Sequence, residues 1–202
     1  MKHRLFTVLA VVLLLLTGAA SAQQRSEGNW LIRARAIYVD PNVSTDGVLS
    51  AMGIGASGQW APELDLTYFF TRNIALELIA ATTKHDVSSF GADIGSVKVL
   101  PPTLTLQYHF TDLGAFKPYV GVGLNYTHFY DQNLLAGAVK VDGSSWGAAL
   151  QAGLDYSLDK NWVLNADVKY IWMKTDASML GVPLGTLTLN PWVFGVGVGY
   201  RF

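Results

Sequence analysis

The chain contains no cysteine, which excludes a disulfide framework and a thiolate metal site. Charged residues make up only 14% of it, and the formal net charge of −1 excludes the strongly basic balance typical of nucleic-acid-binding proteins. Long apolar runs are also scarce. The longest, residues 5–16, is short of the ~20 residues that a membrane-spanning helix needs. Because half of the residues are nevertheless hydrophobic, their arrangement needs another explanation.

The amino-terminal residues have the pattern of a secretory signal. Lys2, His3 and Arg4 precede the apolar run, and Ala20-Ser21-Ala22 supplies the small residues that a signal peptidase requires. An uncleaved signal anchor is the alternative, but the run is too short for it. We therefore predict a signal peptide over residues 1–22 and a single barrel domain over residues 23–202.

Residues 189–202 (LNPWVFGVGVGYRF) read as a strand with one wholly apolar face. The large side chains share one parity: Trp192, Phe194, Val196, Val198, Tyr200 and Phe202. Aromatic residues stand at both ends of this face and aliphatic residues in the middle, which is typical of a strand that contacts lipid. Hydrocarbon supplies no hydrogen bonds to a backbone, so such a strand requires partners on both sides in a closed barrel.

The same alternation recurs along the chain. Eight segments show it: residues 29–39, 59–71, 74–81, 100–110, 117–130, 145–158, 162–173 and 189–202. Short turns alternate with longer connections, which we predict to be polar loops outside the membrane, at residues 40–58, 82–99, 131–144 and 174–188. The pattern predicts an all-β, eight-stranded antiparallel transmembrane β-barrel. A soluble lipocalin-type barrel would have the reverse polarity. The pattern leaves open which of His128 and Phe129 faces lipid.

Charged residues fall on the inward-facing parity of several segments. The basic ones are Arg33, Arg35, Lys169 and Arg201, and the acidic ones are Glu63, Asp65, Glu77, Asp155 and Asp167. An eight-stranded barrel is narrow enough to be filled by its own side chains. We therefore predict a salt-bridged floor, in which the two arginines of the first segment pair across the ladder with the acids of the second. A conducting role for these groups stays open.

Four segments closely resemble the OmpW family of outer-membrane proteins. They are residues 100–110 (LPPTLTLQYHF), 116–131 (FKPYVGVGLNYTHFYD), 145–168 (SWGAALQAGLDYSLDKNWVLNADV) and 189–202. The resemblance implies an outer-membrane barrel with a mainly apolar lumen, associated with passage of small hydrophobic molecules. In some members it also implies ion conductance, or reception of phage and bacteriocins. Tyr200 and Phe202 resemble the signal read by the barrel-assembly machinery.

The resemblance also suggests where the lumen narrows. It places Ile79 and Lys169 near that point, but a lysine departs from the bulky apolar residue expected there. We therefore hypothesise that molecules enter at the outer mouth and leave sideways into the bilayer. Pro101 and Pro102, which lack the N–H that a ladder needs, mark a possible lateral opening. Their alternative role is simply to end a strand near the rim.

The first long connection carries apolar residues, Met52 and Ile54, that would line the mouth or contact a partner. A rival hypothesis is therefore a structural or receptor barrel that acts through its outer loops on phage, bacteriocin or host. Expected partners are outer-membrane lipid and lipopolysaccharide, small hydrophobic molecules and, during biogenesis, the assembly machinery. We predict no enzymatic activity or cofactor, because adjacency of His85, Asp86, Ser88 and Ser89 in sequence does not by itself form a catalytic site. We also predict no metal site, because His85, Asp86 and Asp93 lie in a loop without fixed ligand spacing.

Overall fold

A computed structural model describes residues 28–202, so the predicted signal peptide lies outside the described residues. Those residues form fifteen strands and two short 3-10 helices, Gly47–Ala51 and Leu135–Gly137. The strands are β1 (Trp30–Asp40), β2 (Ser44–Thr45), β3 (Ile54–Ala56), β4 (Gln59–Phe69), β5 (Ile74–Ala81), β6 (Thr83–Ser89), β7 (Ala92–Leu100), β8 (Thr103–His109), β9 (Phe116–Leu134), β10 (Val139–Val141), β11 (Ser144–Ser157), β12 (Trp162–Ile171), β13 (Lys174–Met179), β14 (Val182–Thr188) and β15 (Trp192–Arg201).

Eight strands close the barrel. In order around the wall they are β1, β4, β5, β8, β9, β11, β12 and β15, which pairs back with β1, and every pair is antiparallel. Short turns at residues 70–73, 110–115 and 158–161 join strands at one end of the barrel. Because closure leaves no unpaired edge, the backbone is compatible with a hydrocarbon surrounding. The predicted eight-stranded fold is confirmed.

Side chains of the barrel strands alternate between an exposed outer surface and a buried lumen. On β15, Phe194 and Val196 are exposed whereas Val193 is buried. Phe129 is buried in the lumen, and the neighbouring His128 lies on the outer surface beside Tyr130. Outward-facing aromatic rings contact each other across neighbouring strands, as in the pairs Tyr38–Trp60 and Tyr126–Trp146. No helix in residues 28–202 is long and apolar enough to cross a membrane.

The wall continues beyond the barrel at the end with the long connections, which we call the outer end. The prediction of polar loops at residues 82–99 and 174–188 is wrong, because these residues form the hairpins β6–β7 and β13–β14. Residues 40–58 and 131–144 also contain strand residues: β2 and β3 in the first, β10 and the end of β9 in the second. We call this structure the outer collar; its pairing order is β3, β6, β7, β9, β10, β13, β14 and β2.

The collar keeps the period-two alternation but with another outer surface. On β7 the inward Val97 and Val99 are buried, whereas the outward Lys98 is partly exposed. On β6 the outward Lys84 and Asp86 are exposed. Above the membrane the outer face meets water, so polar residues replace the apolar residues that face lipid. The polar outer face of these strands is therefore the reason that their sequence resembles that of a loop.

Buried lumen side chains form three layers along the barrel. The layer nearest the short turns, the inner cluster, contains Leu31, Phe69, Ala75 and Val163. A charged layer follows. The layer at the outer end, the outer apolar cluster, contains Ile37, Val39, Ala61, Val97, Val99, Phe129, Leu134, Val139, Ala149, Ile171, Met173 and Val193. The lumen is therefore apolar at its two ends and charged between them, so the expectation of a mainly apolar lumen holds only outside the charged layer.

Candidate functional site: a lumen cavity above a charged floor

A cavity of about 90 Å³ lies inside the outer apolar cluster and the collar. Barrel and collar strands both contribute to its apolar walls, among them Ile37, Val39, Ile54, Ala81, Val87, Val97, Val99, Phe129, Ile171, Met173 and Leu189. An apolar cavity of about 150 Å³ binds benzene, so this cavity is smaller than a benzene-sized site. A larger molecule therefore passes only when the wall moves.

One titratable group on the collar side of the cavity, His85, is fully engaged by neighbours. Its Nδ1 lies 2.8 Å from the carbonyl oxygen of Ser57, and its Nε2 lies 2.9 Å from Oγ1 of Thr83. Burial lowers the pKa of His85 below its ordinary value, although the Ser57 carbonyl and nearby Asp86 oppose this shift. The imidazole is therefore held neutral at neutral pH, as a structural group of the wall.

Lys169 and Glu63 form the border between the cavity and the charged layer beneath it. The ammonium Nζ of Lys169 donates to Oε1 of Glu63 at 2.7 Å and to Oδ2 of Asp167 at 3.0 Å. Both Lys169 and Glu63 line the cavity, whereas Asp167 does not. Since a buried charge requires a partner, the lysine closes the cavity floor only together with these acids.

Arg35 joins four carboxylates in the charged layer. Its Nη2 lies 2.5 Å from Asp65 and 2.7 Å from Glu77, its Nη1 lies 2.7 Å from Asp167, and its Nε lies 3.0 Å from Glu63. The arginine side chain is completely buried. A planar guanidinium presents five N–H donors in a fixed fork, and this geometry suits a site that must connect several acids at once.

Arg33, two residues earlier on β1, extends the same network across the lumen. Its Nη2 lies 2.6 Å from Asp155, and its Nη1 lies 3.1 Å from both Asp65 and Glu77. Nη1 also donates to Oγ1 of Thr67 at 2.8 Å. Asp155 stands on β11, so this arginine links strands that are not neighbours in the wall. The contact therefore blocks the bore from one side to the other.

The charged layer and the polar groups around it form a continuous seal. Gln107 donates to Glu77 at 2.8 Å and to Gln151 at 2.9 Å, and Gln151 donates to Asp167 at 2.9 Å. On the inner side of this seal, His109 stacks on Tyr119 with ring centroids 4.8 Å apart. A molecule that moved straight through the barrel would have to separate several buried ion pairs and then an aromatic layer.

The structure brings most of the predicted site residues together. Ile79, Glu63 and Lys169 line the cavity at its floor, and Arg33, Arg35, Asp65 and Glu77 lie in the charged layer beneath. Arg33 stands opposite Asp65, and Arg35 opposite Glu63, in the register of β1 and β4, so the predicted cross-strand pairing is confirmed.

Other predicted site residues lie apart from the floor. Ile54 and Pro101 line the cavity, whereas Met52 is only partly buried and contributes its carbonyl oxygen to a hydrogen bond from Ser89. Pro102 lies beside the cavity between β7 and β8. Tyr200 and Phe202 are on the exposed outer surface, and their role in assembly stays a prediction.

Sequence reasoning missed the collar residues of the cavity wall. His85, Val87, Val97 and Val99 fall in a segment predicted to be a loop, although their inward parity continues that of the barrel strands. It also missed Asn125 as a contact of the prolines, which the register of neighbouring strands could have indicated. Across residues 28–202, no three His, Cys, Asp or Glu side chains cluster as a metal site would require.

Comparisons with known proteins agree with this architecture. The family model described as OmpW family matches residues 26–202. The chain is 46% identical over 183 residues to the uncharacterized outer-membrane protein y4mB of Sinorhizobium fredii, with 86% of this chain and 80% of that protein covered. It is 37% identical over 217 residues to outer membrane protein W of Vibrio cholerae, with 97% and 99% covered. The crystal structure of outer membrane protein OprG from Pseudomonas aeruginosa matches with a TM-score of 0.77, at 31% identity and with 90% of this chain and 99% of that chain covered.

Proposed function

Since the chain belongs to the OmpW family and is a bacterial outer-membrane barrel, we propose that it is a narrow channel for small hydrophobic molecules. They enter at the outer mouth and leave sideways into the bilayer. The proposal involves no catalytic step. Its support comes from one observation above all: an apolar cavity that ends on a sealed charged floor.

The floor favours a sideways route on energetic grounds. Breaking a buried ion pair by removing one partner typically costs about 3–5 kcal/mol, and an apolar solute offers nothing to the separated charges. Several such pairs meet at Arg33 and Arg35. An apolar solute gains instead from the apolar wall, at roughly 25 cal/mol for each Å² that is removed from water. The favourable path therefore runs along the apolar wall and stops above the floor.

Pro101 and Pro102 supply the candidate exit. Pro101 lines the cavity, and the amide of Tyr126 donates to the carbonyl oxygen of Pro102 at 3.0 Å. Tyr126 carries one of the outward aromatic rings, which are typical of the membrane surface, so this point lies beside the outer leaflet. A proline has no N–H, so neither residue can return a ladder hydrogen bond to its neighbours. The wall thus has fewer backbone hydrogen bonds at a point that borders both the cavity and the outer surface.

Uptake of N-phenylnaphthylamine, which fluoresces in apolar surroundings, tests this proposal. The host is a bacterium with an intact lipopolysaccharide leaflet and no family member of its own. Ala81 lines the cavity and Ala80, its neighbour on β5, faces outward. We expect wild-type protein to increase uptake, Ala81→Trp to abolish the increase by filling the cavity, and Ala80→Trp to leave it unchanged. Equal uptake with Ala81→Trp and wild type would contradict a route through the cavity.

A second candidate function, reception of a partner at the outer end, is favoured by the hairpin tips. Phe90 and Leu180 are 79% and 84% exposed, and both have a positive φ, of 51° and 49°. Each is followed by a glycine that also has a positive φ, Gly91 and Gly181. Positive φ at both central residues is the geometry of a two-residue type I′ hairpin turn, in which asparagine is the usual first residue. A bulky apolar residue there costs stability and is presented to the solvent, which favours a contact role. If Phe90→Asn with Leu180→Asn abolished binding of a phage or bacteriocin while probe uptake survived, the receptor function would be supported.

A further inference from the structure

The side chain of Asn125 crosses the wall seam between β8 and β9 from the lumen side. Asn125 stands on β9, is almost completely buried, and directs its amide nitrogen at the neighbouring strand. Nδ2 lies 2.9 Å from Oγ1 of Thr103, 3.2 Å from the carbonyl oxygen of Pro101 and 3.4 Å from that of Pro102. A single amide thus reaches three oxygen atoms on the segment that contains both prolines.

Thr127 holds this amide in its orientation. Its hydroxyl donates to Oδ1 of Asn125 at 2.6 Å, and both side chains are buried on the same face of β9. With Oδ1 engaged in this way, the two N–H groups of Asn125 must point at the proline segment. The direction of the amide is therefore fixed by a partner on its own strand.

Few backbone hydrogen bonds join the two strands at the position of this side chain. Paired positions flank the prolines, Thr103 opposite Asn125 on one side and Leu100 opposite His128 on the other. Between them the amide of Tyr126 bonds to Pro102, and the prolines have no N–H to donate in return. The Asn125 side chain therefore supplies hydrogen bonds at the place where the backbone cannot.

We infer that Asn125 is the latch of the lateral exit, an inference that rests on the proposed function. While its amide is in place, the Pro101–Pro102 segment is held against β9 and the cavity is closed toward the bilayer. Rotation of the side chain away from the seam releases three contacts together and leaves one backbone bond across the proline segment. The latch thus controls how often a molecule in the cavity leaves.

Two measurements on the same variants test the latch. The first is hydrogen exchange of the Tyr126 amide in the refolded barrel, which reports opening of the seam whether or not anything is transported. The second is uptake of N-phenylnaphthylamine. We expect Asn125→Ala to speed exchange at Tyr126 at least tenfold and to raise uptake severalfold. Thr127→Val, which leaves the amide present but free to turn, should change both in the same direction and by less.

A matched control is available on the same strand. The side-chain amide of Gln132 also bridges two strands, but these are β9 and β10 in the collar. Its oxygen accepts from the N–H of Val141 at 2.9 Å, and its nitrogen donates to the carbonyl oxygen of Val141 at 3.0 Å. Gln132→Ala should speed exchange at Val141 and leave Tyr126 exchange and probe uptake unchanged. In gels, a folded barrel migrates faster before heating than after it. A variant that keeps this difference has folded.

A reversible lock completes the design. Leu100 and His128 face each other across the seam, and the chain has no cysteine of its own. In a variant with Asn125→Ala, Leu100→Cys and His128→Cys, oxidation should remove the added uptake and a reductant should restore it. Unchanged exchange at Tyr126 in Asn125→Ala would overturn the latch without touching the channel. Faster exchange with wild-type uptake would also overturn it, and absence of uptake from every variant would overturn channel and latch together.

Discussion

The ammonium of Lys169 lies 2.7 Å from the carboxylate of Glu63, and the pair joins β12 to β4 across the lumen. Both side chains are almost completely buried, although each has one end at an apolar cavity. The pair therefore marks a sharp boundary in the lumen, with an apolar wall on one side and paired charges on the other. Its stability can be measured separately from any transport.

Replacing the lysine tests how strongly this boundary is held. Lys169→Met should lower the free energy of unfolding by about 3 kcal/mol, because two buried carboxylates lose a partner. Lys84→Met is the control, since Lys84 is exposed and lies 4.0 Å from Asp86, where an ion pair contributes about 0–1 kcal/mol. Urea unfolding in detergent micelles measures both. Combining Lys169→Met with Glu63→Gln should cost less than the two separate losses together, and strict additivity would mean that the pair is not coupled.

Close approach of two backbones explains one glycine of β11. A Cβ placed on Gly147 would lie 1.7 Å from the carbonyl oxygen of Trp172, so an alanine there must move the wall. We expect Gly147→Ala to destabilise the barrel by about 2 kcal/mol, in the range of overpacking in a tight core. Gly143→Ala is matched to it, because nothing lies within 4 Å of the added atom. Similar unfolding curves for the two variants would show that the wall yields easily at Trp172.

The strained tip of the β13–β14 hairpin can be relieved. Leu180 has a φ of 49°, a region that asparagine tolerates better than a bulky apolar residue. Leu180→Asn should therefore stabilise the hairpin by roughly 0.5–1 kcal/mol, as read from amide exchange in β13 and β14. Val182→Asn removes another exposed apolar side chain from the same hairpin, at a position without a positive φ, and should bring no such gain. If amide exchange slowed in both variants, the stabilisation would come from removal of an exposed apolar side chain and not from relief of the positive φ.

Acidic pH should loosen the collar through His85. The folded protein lowers the pKa of this histidine by burial, from an ordinary value of 6.5, so the unfolded segment binds a proton more readily. The stabilising effect of the neutral imidazole is therefore present above about pH 6.5 and is lost as the pH falls through that value toward the lower pKa of the folded state. We expect amide exchange in β6 to accelerate on going from pH 7.5 to pH 5, after correction for intrinsic rates. His85→Gln should remove most of this difference, whereas an unchanged difference would assign it to other groups.

The sequence predicted the barrel well because the membrane imposes a single rule on every strand: apolar outside, with hydrogen bonds shared between neighbours. The same rule explains why the loop prediction failed at residues 82–99, where water replaces lipid and polar residues appear on both strands of a hairpin. Pairing of Arg33 with Asp65 was predictable, since neighbouring strands fix it. The contact of Arg33 with Asp155 was not, because it crosses the lumen and depends on how the barrel closes.

The two edge strands of the collar are not hydrogen-bonded to each other but are close in sequence. β2 and β3 are the terminal strands of its pairing order, and residues 46–53 join them directly. The collar is thus an open sheet, and its two edge strands are joined by a peptide segment instead of hydrogen bonds. Such a segment limits the distance between the two strands to roughly 3.4 Å per residue when it is fully extended. The length of this segment therefore limits how far β2 and β3 can separate, a distance that no hydrogen bond between these two strands controls.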